Sequence, residues 1–477
     1  MRFEEYRRLD AVALAQLVRK REVTPRELLE LAVARAEAVQ PRLNIISVWD
    51  LDLAERLLER ARPEAPFWGV PFLVKDLHGL IEGTRCTNGS RLLASFQAPH
   101  TTTFLARVLE AGWIPFAKTL TPEFGLNVVT EPVSHGPCRN PWDPAYSPGG
   151  SSGGAAAAVA AGVVPLAHAT DGGGSIRIPA SHTALLGLKP SRARTPAGPV
   201  VAEGWSGLST GLAVARSLRD LAAFLDAVHG PETGAFYACP PPAGPFRAAL
   251  ARSLPRQRIA LMLEPPADVP VADSVRNAVL GIARLLERMG HTVEPAAPAL
   301  DGERFAEAFF TVVTANAARD IARFASIVGR PLGEEVLERA TLMMVEKGRA
   351  TDAVTFLEAL HTVQASARAM GELFERYQLL LSPVCAEPPP EIGWIDQNGA
   401  DVRAYLERTR PYVAFTSLHN ASGCPSLSFP AGRDERGLPI GAMLTAPFGQ
   451  EERLFQIAAE LDLELGFGDR QPPDIGS

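Results

Sequence analysis

Two glycine-rich loops, each presenting serine, hold the residues best suited to chemistry in this chain. The first is Gly149-Gly150-Ser151-Ser152-Gly153-Gly154 and the second is Asp171-Gly172-Gly173-Gly174-Ser175, with an Ala-rich segment between them. Acyl transfer needs a hydroxyl nucleophile beside uncovered backbone N–H groups. Glycines leave those groups uncovered and permit unusual φ/ψ values. The three glycines before Ser175 can therefore form a nest for an anion or a developing oxyanion. A flexible turn is the plain structural reading of the same loop. The first loop also reads as the glycine-rich start of a helix, the arrangement that binds phosphate in P-loops. Here the lysine of GxxxxGKS/T is missing, which removes the residue that would reach the phosphates.

Residues 149–153 also fit GxSxG, the nucleophile-elbow pattern. On that reading Ser151 attacks, and a histidine such as His168 or His182 activates it. An elbow should follow a strand, whereas residues 140–148 are Pro-rich and loop-like. No lysine has a serine three residues before it, so an SxxK arrangement is absent. Lys75 closes the apolar stretch FWGVPFLVKD. Beside Asp76 it reads as half of a solvated surface pair. Desolvated by Phe72 and Val74, it would have a lowered pKa and could act as a base near neutral pH. Five of the 47 basic residues are lysines. Where a lysine persists in so arginine-rich a chain, arginine, which stays charged, is a poor substitute.

These residues need elements to position them. Residues 67–76 predict a buried strand ending at Lys75, and 163–169 a strand leading into the second loop. Residues 103–111 read as a helix and 114–117 as the next strand. Upstream, 11–39 has the three- and four-residue apolar spacing of two helices, and a third is expected over 51–62. Thr24-Pro25-Arg26-Glu27 has the form of an N-cap, a proline at N1 and a glutamate at N3. The PPPAGP run at 240–245 is the best linker candidate. After it come a strand (258–263), a helix (273–289) and a strand (291–294), then a nearly all-helical region over 303–378. Strands at 379–382 and 426–430 and a closing helix at 451–465 complete the reading. Strands separated by helices predict an α/β protein with a mostly parallel sheet. There are no internal repeats, and composition does not shift enough to force a second domain.

At 477 residues the chain can bury a large core, and 46% hydrophobic with 21% charged residues is an ordinary globular balance. A net charge of −7 argues against nucleic acid or an acidic membrane as the main partner. Five scattered cysteines without a CxxC pair give neither a disulfide framework nor a zinc cluster. The first 20 residues lack an apolar h-region, and no apolar run approaches 18 residues. The expectation is a soluble, cytoplasmic protein with no cofactor and no metal.

Taken together, GGSSGG, GGSIRIPAS and GLKPSRAR resemble the amidase signature family. The likeness extends upstream through VPFLVKD, AKTLTPEFG and RNPWDP, and downstream through ASGCPSLSFPAG and LPIGAML. It implies a large mixed, mostly parallel twisted sheet flanked by helices on both faces. It implies one domain over 1–477, with N-terminal helices in 1–65, a catalytic core in 66–230 and a helical region, 303–378, covering the substrate side. It further implies a Ser–cis-Ser–Lys triad: Ser175 as nucleophile, Ser151 as bridging serine after a cis Gly150–Ser151 bond, and Lys75 as base. Backbone N–H groups of Gly172, Gly173, Gly174 and Ser175 would form the oxyanion hole. Asp171 and Arg177 are expected to shape the loop, and Ser152 to hydrogen-bond within its own loop. Many members read DTGGS where this chain reads DGGGS. Gly172 is expected to keep the backbone donor while opening the pocket or loosening the loop.

Within the family, TEPVSHGPCRNPWD, ARSLRDLAAFLDAV and PEIG look most like the 6-aminohexanoate cyclic dimer (nylon-oligomer) hydrolase branch. The resemblance thus implies a small-molecule amide as partner, linear or cyclic and apolar, without nucleic acid or membrane; a homodimer is the assembly kept open. Expected pocket residues are Leu126, Asn127 and Val128 from the 124–128 strip, and Val313 with Phe309, Phe310, Met343 and Met344 from the helical region. At helical spacing the latter read equally well as core. The contrasting reading is the ammonia-releasing component of a tRNA-dependent amidotransferase, its A chain, which acts on glutamine. A degenerate binding protein is disfavoured because Lys75, Ser151 and Ser175 are all intact.

Overall fold

The computed structural model describes residues 1–473; the last four positions of the expected 1–477 domain lie outside the described residues. The N-terminal helices form where their end signals stand. Thr24 caps the helix Pro25–Leu43, with its Oγ1 accepting from Glu27 N at 3.2 Å and Glu27 Oε2 accepting from Thr24 N at 2.8 Å. This reciprocal box satisfies two amides that a helix start otherwise leaves open.

One sheet of 11 strands runs through the molecule. Its first six strands are β1 (Ile46–Trp49), β2 (Pro71–Lys75), β3 (Ile114–Thr119), β4 (Leu166–Asp171), β5 (Leu186–Lys189) and β6 (Thr210–Ala215). The remainder are β7 (Arg258–Leu261), β8 (Thr292–Pro295), β9 (Leu379–Pro383), β10 (Ser426–Arg433) and β11 (Pro439–Thr445). The order across the sheet is β1-β3-β2-β4-β6-β5-β10-β11-β9-β7-β8.

The sheet is large, mixed and flanked by helices, as the resemblance implies, but parallel pairing does not dominate it. Four ladders are parallel and six antiparallel. Parallel pairing is confined to two blocks, β3-β2-β4 and β9-β7-β8. The expectation of a parallel sheet came from strands linked by helices, and those strands do form the parallel blocks. The centre is built from β5, β6, β10 and β11, which pair antiparallel. Of these, β5 and β6 are short and glycine-containing and give little strand signal in sequence.

Lys75 and Thr170 both come from the first parallel block. All five residues of β2 are buried, as a central strand covered on both faces requires. It pairs parallel with β4 at Leu73↔Ala167, so Lys75 and Thr170 emerge together at the carboxyl edge of the sheet. The helix Gly153–Ala160 is buried along its whole length, which explains its Ala-rich composition: an apolar surface all round suits a helix inside the core. Residues 303–378 fold as the helices Gly302–Val328, Arg339–Ala350 and Ala353–Arg376. Among the described residues no helix is long and apolar enough to cross a membrane.

Candidate active site

Lys75 sits at the end of β2 with no exposed surface. Its Nζ lies 2.8 Å from Ser151 Oγ and 2.9 Å from Thr170 Oγ1, with the Thr170 carbonyl at 3.5 Å. Burial pushes the Lys75 ammonium well below its ordinary pKa, opposed in part by the negative charge of Asp171. A neutral amine suits this setting. Its two N–H groups can donate to Thr170, and its lone pair can accept the Ser151 hydroxyl proton. Sequence reading did not find Thr170, because a threonine at a strand end carries no signal of its own.

The Gly150–Ser151 peptide bond is cis, as the resemblance implies. A Cβ on Gly150 would stand 2.7 Å from the Val129 carbonyl oxygen, so the close approach of two backbones explains that glycine. Ser152 reaches outside its loop to donate to the Thr170 carbonyl at 3.3 Å. The expected bond within the first loop is replaced by a tie between the loop and β4.

Ser151 and Ser175 open into one cavity of about 270 Å³, which is also lined by Thr170 and Gly172. Among the described residues the Ser175 hydroxyl makes no hydrogen bond, and neither serine is paired with a histidine. His168 lines the cavity, its ring 5.2 Å from that of Phe104. Burial, helped by Lys75 and Lys118, lowers its pKa to about 3. His182 packs edge-on against Tyr412, and burial lowers it to about 3 as well. The elbow reading, with Ser151 served by a histidine, thus lacks its base.

The second loop is held by a buried ion pair. Asp171 and Arg177 both have fully buried side chains. Two contacts of 2.9 Å join them, from Arg177 Nε to Asp171 Oδ2 and from Nη2 to Oδ1. Asp171 also accepts from Gly174 N at 2.8 Å, Ile176 N at 3.1 Å and Asn420 Nδ2 at 2.8 Å. Burial alone would raise the Asp171 pKa. Arg177 and these donors overcome it and hold the carboxylate well below the usual range. Arg177 additionally donates to the Thr416 carbonyl at 2.9 Å and to Asn420 Oδ1 at 2.6 Å.

This network corrects one part of the expected oxyanion hole. The Gly174 amide is spent on Asp171 and is not free for a substrate. Among the described residues the amides of Gly172, Gly173 and Ser175 have no protein acceptor, so they are the candidate donors. Gly174 has φ +137°, and a Cβ there would lie 2.5 Å from Thr416 Oγ1. Its glycine therefore serves loop conformation instead of oxyanion binding.

A second correction concerns Gly172. The volume beside it is not open. A Cβ on Gly172 would stand 2.7 Å from both Cε3 and Cζ3 of Trp205. The indole fills the space that a threonine side chain would need.

The substrate wall also differs from expectation. Phe124 and Gly125 line the cavity, but Leu126, Asn127 and Val128 do not. The turn Glu123–Gly125, with Phe124 at φ +50°, directs only its own residues to the cavity. Leu126 and Val128 join the buried apolar cluster, and Asn127 Oδ1 accepts from Val128 N at 2.8 Å. Val313 and Met344 are buried in that cluster, with Phe310 and Met343 packed against it; Phe309 packs there too, but its ring edge lies 3.7 Å from where a Cβ on Gly173 would stand. The helix Gly302–Val328 reaches the cavity further along, through Arg319, Asp320, Arg323, Phe324 and Ile327. Among the described residues no cluster of His, Cys, Asp or Glu could hold a metal ion.

Comparison with known proteins gives the family. The family model described as Amidase matches residues 27–455. The 6-aminohexanoate-cyclic-dimer hydrolase of Paenarthrobacter ureafaciens is 35% identical over 475 residues, covering 97% of this chain and 96% of that protein. A solved structure of 6-aminohexanoate cyclic dimer hydrolase superposes with a TM-score of 0.93 at 34% identity, covering 98% of this chain and 99% of the other. A glutamyl-tRNA(Gln) amidotransferase structure from Thermotoga maritima shares the fold, with a TM-score of 0.77 at 23% identity over 95% of this chain and 94% of its own. The chain belongs to the amidase family and is an amidase, a hydrolase of carboxylic amide C–N bonds.

Proposed function

We propose that this amidase hydrolyses small apolar amides, linear or cyclic and including aminohexanoate-type oligomers, through an acyl-enzyme on Ser175. The observation that carries the mechanism is a fully buried Lys75 at 2.8 Å from Ser151, in a cavity that Ser175 shares. Neutral Lys75 takes the proton of Ser151 as Ser151 takes that of Ser175. The Ser175 oxygen bonds to the amide carbon, and the negative charge on the carbonyl oxygen is met by the amides of Gly172, Gly173 and Ser175. Such preorganised donors gain strength in a site that excludes water. The relay then protonates the leaving nitrogen, the C–N bond breaks, and water attacks the acyl-enzyme by the same route in reverse. Each proton moves between groups of this site, and no charge is left on a buried lysine at the end of the cycle.

The 6-aminohexanoate substrate class is supported by the relatives at 34–35% identity over nearly the whole chain and by an apolar cavity of small-ligand size. The amidotransferase reading has the shared fold alone behind it. The test is to incubate the purified chain, without a partner protein, with aminohexanoate cyclic dimer, linear oligomers and short anilides. Hydrolysis should occur, a fluorophosphonate should label Ser175, and Ser175→Ala should abolish both. Label on Ser151 only, or ammonia release from glutamine without oligomer cleavage, would overturn the assignment.

A further inference from the structure

Trp205 stands where the wall of the cavity meets the nucleophile loop. It occupies a turn in which Trp205, Ser206 and Gly207 all have left-handed backbone, with φ of +49°, +54° and +83°. For a bulky residue this conformation is a true outlier and persists only where the surroundings impose it. The surroundings do so here. Arg192 Nε donates to the Gly207 carbonyl at 2.6 Å, Asn316 Nδ2 to Ser206 Oγ at 3.0 Å, and Asn420 Nδ2 to the Leu208 carbonyl at 3.0 Å. Asn420 also holds Asp171, so one side chain fixes both the tryptophan turn and the serine loop. The indole is only half-buried and lines the cavity. Its six-membered ring lies where a Cβ on Gly172 would be.

We propose that Trp205 is a specificity-determining residue, which lies against the Gly172 side of the reacting carbonyl and excludes acyl groups branched at the carbon next to it. The proposal rests on Ser175 being the nucleophile. A straight methylene chain or a flat group can lie along the indole face. A methyl branch beside the carbonyl meets the ring, whose backbone is held by the bonded turn. Glycine at 172 is the other half of the device. Gly172 is not in the left-handed region, so alanine there carries no backbone penalty and its effect reads the ring alone.

The test compares kcat/KM for hexanoyl and α-methylhexanoyl p-nitroanilide in the unaltered enzyme, Gly172→Ala, Trp205→Ala, Trp205→Phe and the Gly172→Ala/Trp205→Ala double variant. One methyl group discriminated by a pocket is worth roughly 10–200-fold. Trp205→Ala should reduce the preference for the straight chain by at least about tenfold, read as the ratio of the two kcat/KM values so that a loss common to both substrates cancels, and Trp205→Phe should keep most of the preference. Gly172→Ala should depress hexanoyl turnover when Trp205 is present and have little effect when it is absent. A preference unmoved in Trp205→Ala, or a Gly172→Ala penalty equal in both backgrounds, overturns the proposal. If Trp205→Ala does not fold, Trp205→Leu carries the same ratio. Fluorophosphonate labelling of Ser175 reads the seryl mechanism separately. An unlabelled parent enzyme sinks that mechanism, whereas normal labelling with an unmoved preference sinks only the role of Trp205.

Discussion

Replacing Arg177 by methionine tests whether a buried ion pair holds the oxyanion donors in place. The substitution keeps an unbranched chain of similar length and removes the guanidinium. Asp171 then loses two charge-assisted contacts of 2.9 Å and retains Gly174 N, Ile176 N and Asn420 Nδ2. Removing one partner of a buried pair costs about 3–5 kcal/mol, because the other charge stays buried without compensation. The three remaining donors place this case near the lower end, about 3 kcal/mol. That is a large share of the roughly 5–15 kcal/mol by which folded proteins are stable, and urea denaturation will resolve it. Asp171 is held below the usual carboxylate range. Its stabilising contribution is therefore complete above the unfolded carboxylate pKa and is lost as pH falls through the lower native value. Without Arg177 the native value rises toward the unfolded one, so the variant has less of this stability to lose as pH falls. The stability gap between the two proteins should be widest near neutral pH and close in acid. Activity follows from the same contacts. Asp171 anchors the amides of Gly174 and Ile176, which flank Ser175, so its release displaces the free amides of Gly172, Gly173 and Ser175. One misplaced oxyanion donor costs about 10²–10³ in kcat, and KM should move much less. An Arg177→Met enzyme within about 1 kcal/mol of the parent in stability, with kcat intact, would falsify the idea that the pair organises the loop.

Two further substitutions separate function from stability. Lys75→Met should lower kcat by about 10²–10⁴, the worth of a positioned base, yet stabilise the fold at neutral pH. Burial depresses Lys75, so the unfolded chain binds a proton that the native state lacks, and the penalty this residue imposes on stability shrinks as pH rises; a methionine variant less stable than the parent in urea at neutral pH contradicts this. Glu338 behaves in the opposite sense. Burial, then the neighbouring Glu123, raises its pKa to about 8, so the native state keeps a proton that the unfolded chain has lost. The contribution of Glu338 to stability should fall from about pH 5 to 8, and Glu338→Gln should remove that component; identical pH profiles of melting temperature in the two proteins would count against it.

Legibility in the sequence followed how local each signal was. The end of β2 at Lys75, the serine loops and the helix Glu451–Leu465 depend on near neighbours in the chain, and the sequence reading places them. The central strands β5 and β6 are defined by partners, β6 pairing with both β4 and β5, and LGLK or TGLAVA alone looks like loop. The substrate wall fails to show for a physical reason. Apolar periodicity in a helix marks the stripe that meets the core, and Val313 and Met344 are on it. The cavity is met by Arg319, Asp320 and Arg323, whose polarity makes them read as solvent-facing. Trp205 sits in EGWSGLS, a stretch with no periodicity, and its bearing on Gly172 exists only in the folded chain.

The glycines of the two loops show why composition alone underdetermines such a site. In sequence they look interchangeable, as one loose, uncovered backbone. In the fold three of them are required by three different neighbours. Gly150 is excluded from bearing a side chain by the Val129 carbonyl, Gly172 by the Trp205 ring, and Gly174 by Thr416 together with its φ of +137°. Of the three glycines before Ser175, two keep free amides and one gives its amide to Asp171. Loop looseness is therefore not the property that glycine supplies here. The second loop is clamped by an ion pair, an asparagine and an indole, and glycine is what lets those three groups come close enough to clamp it. A substitution at any of the three positions should accordingly act through a different contact, and only the one at Gly172 should be reversible by a second change across the cavity.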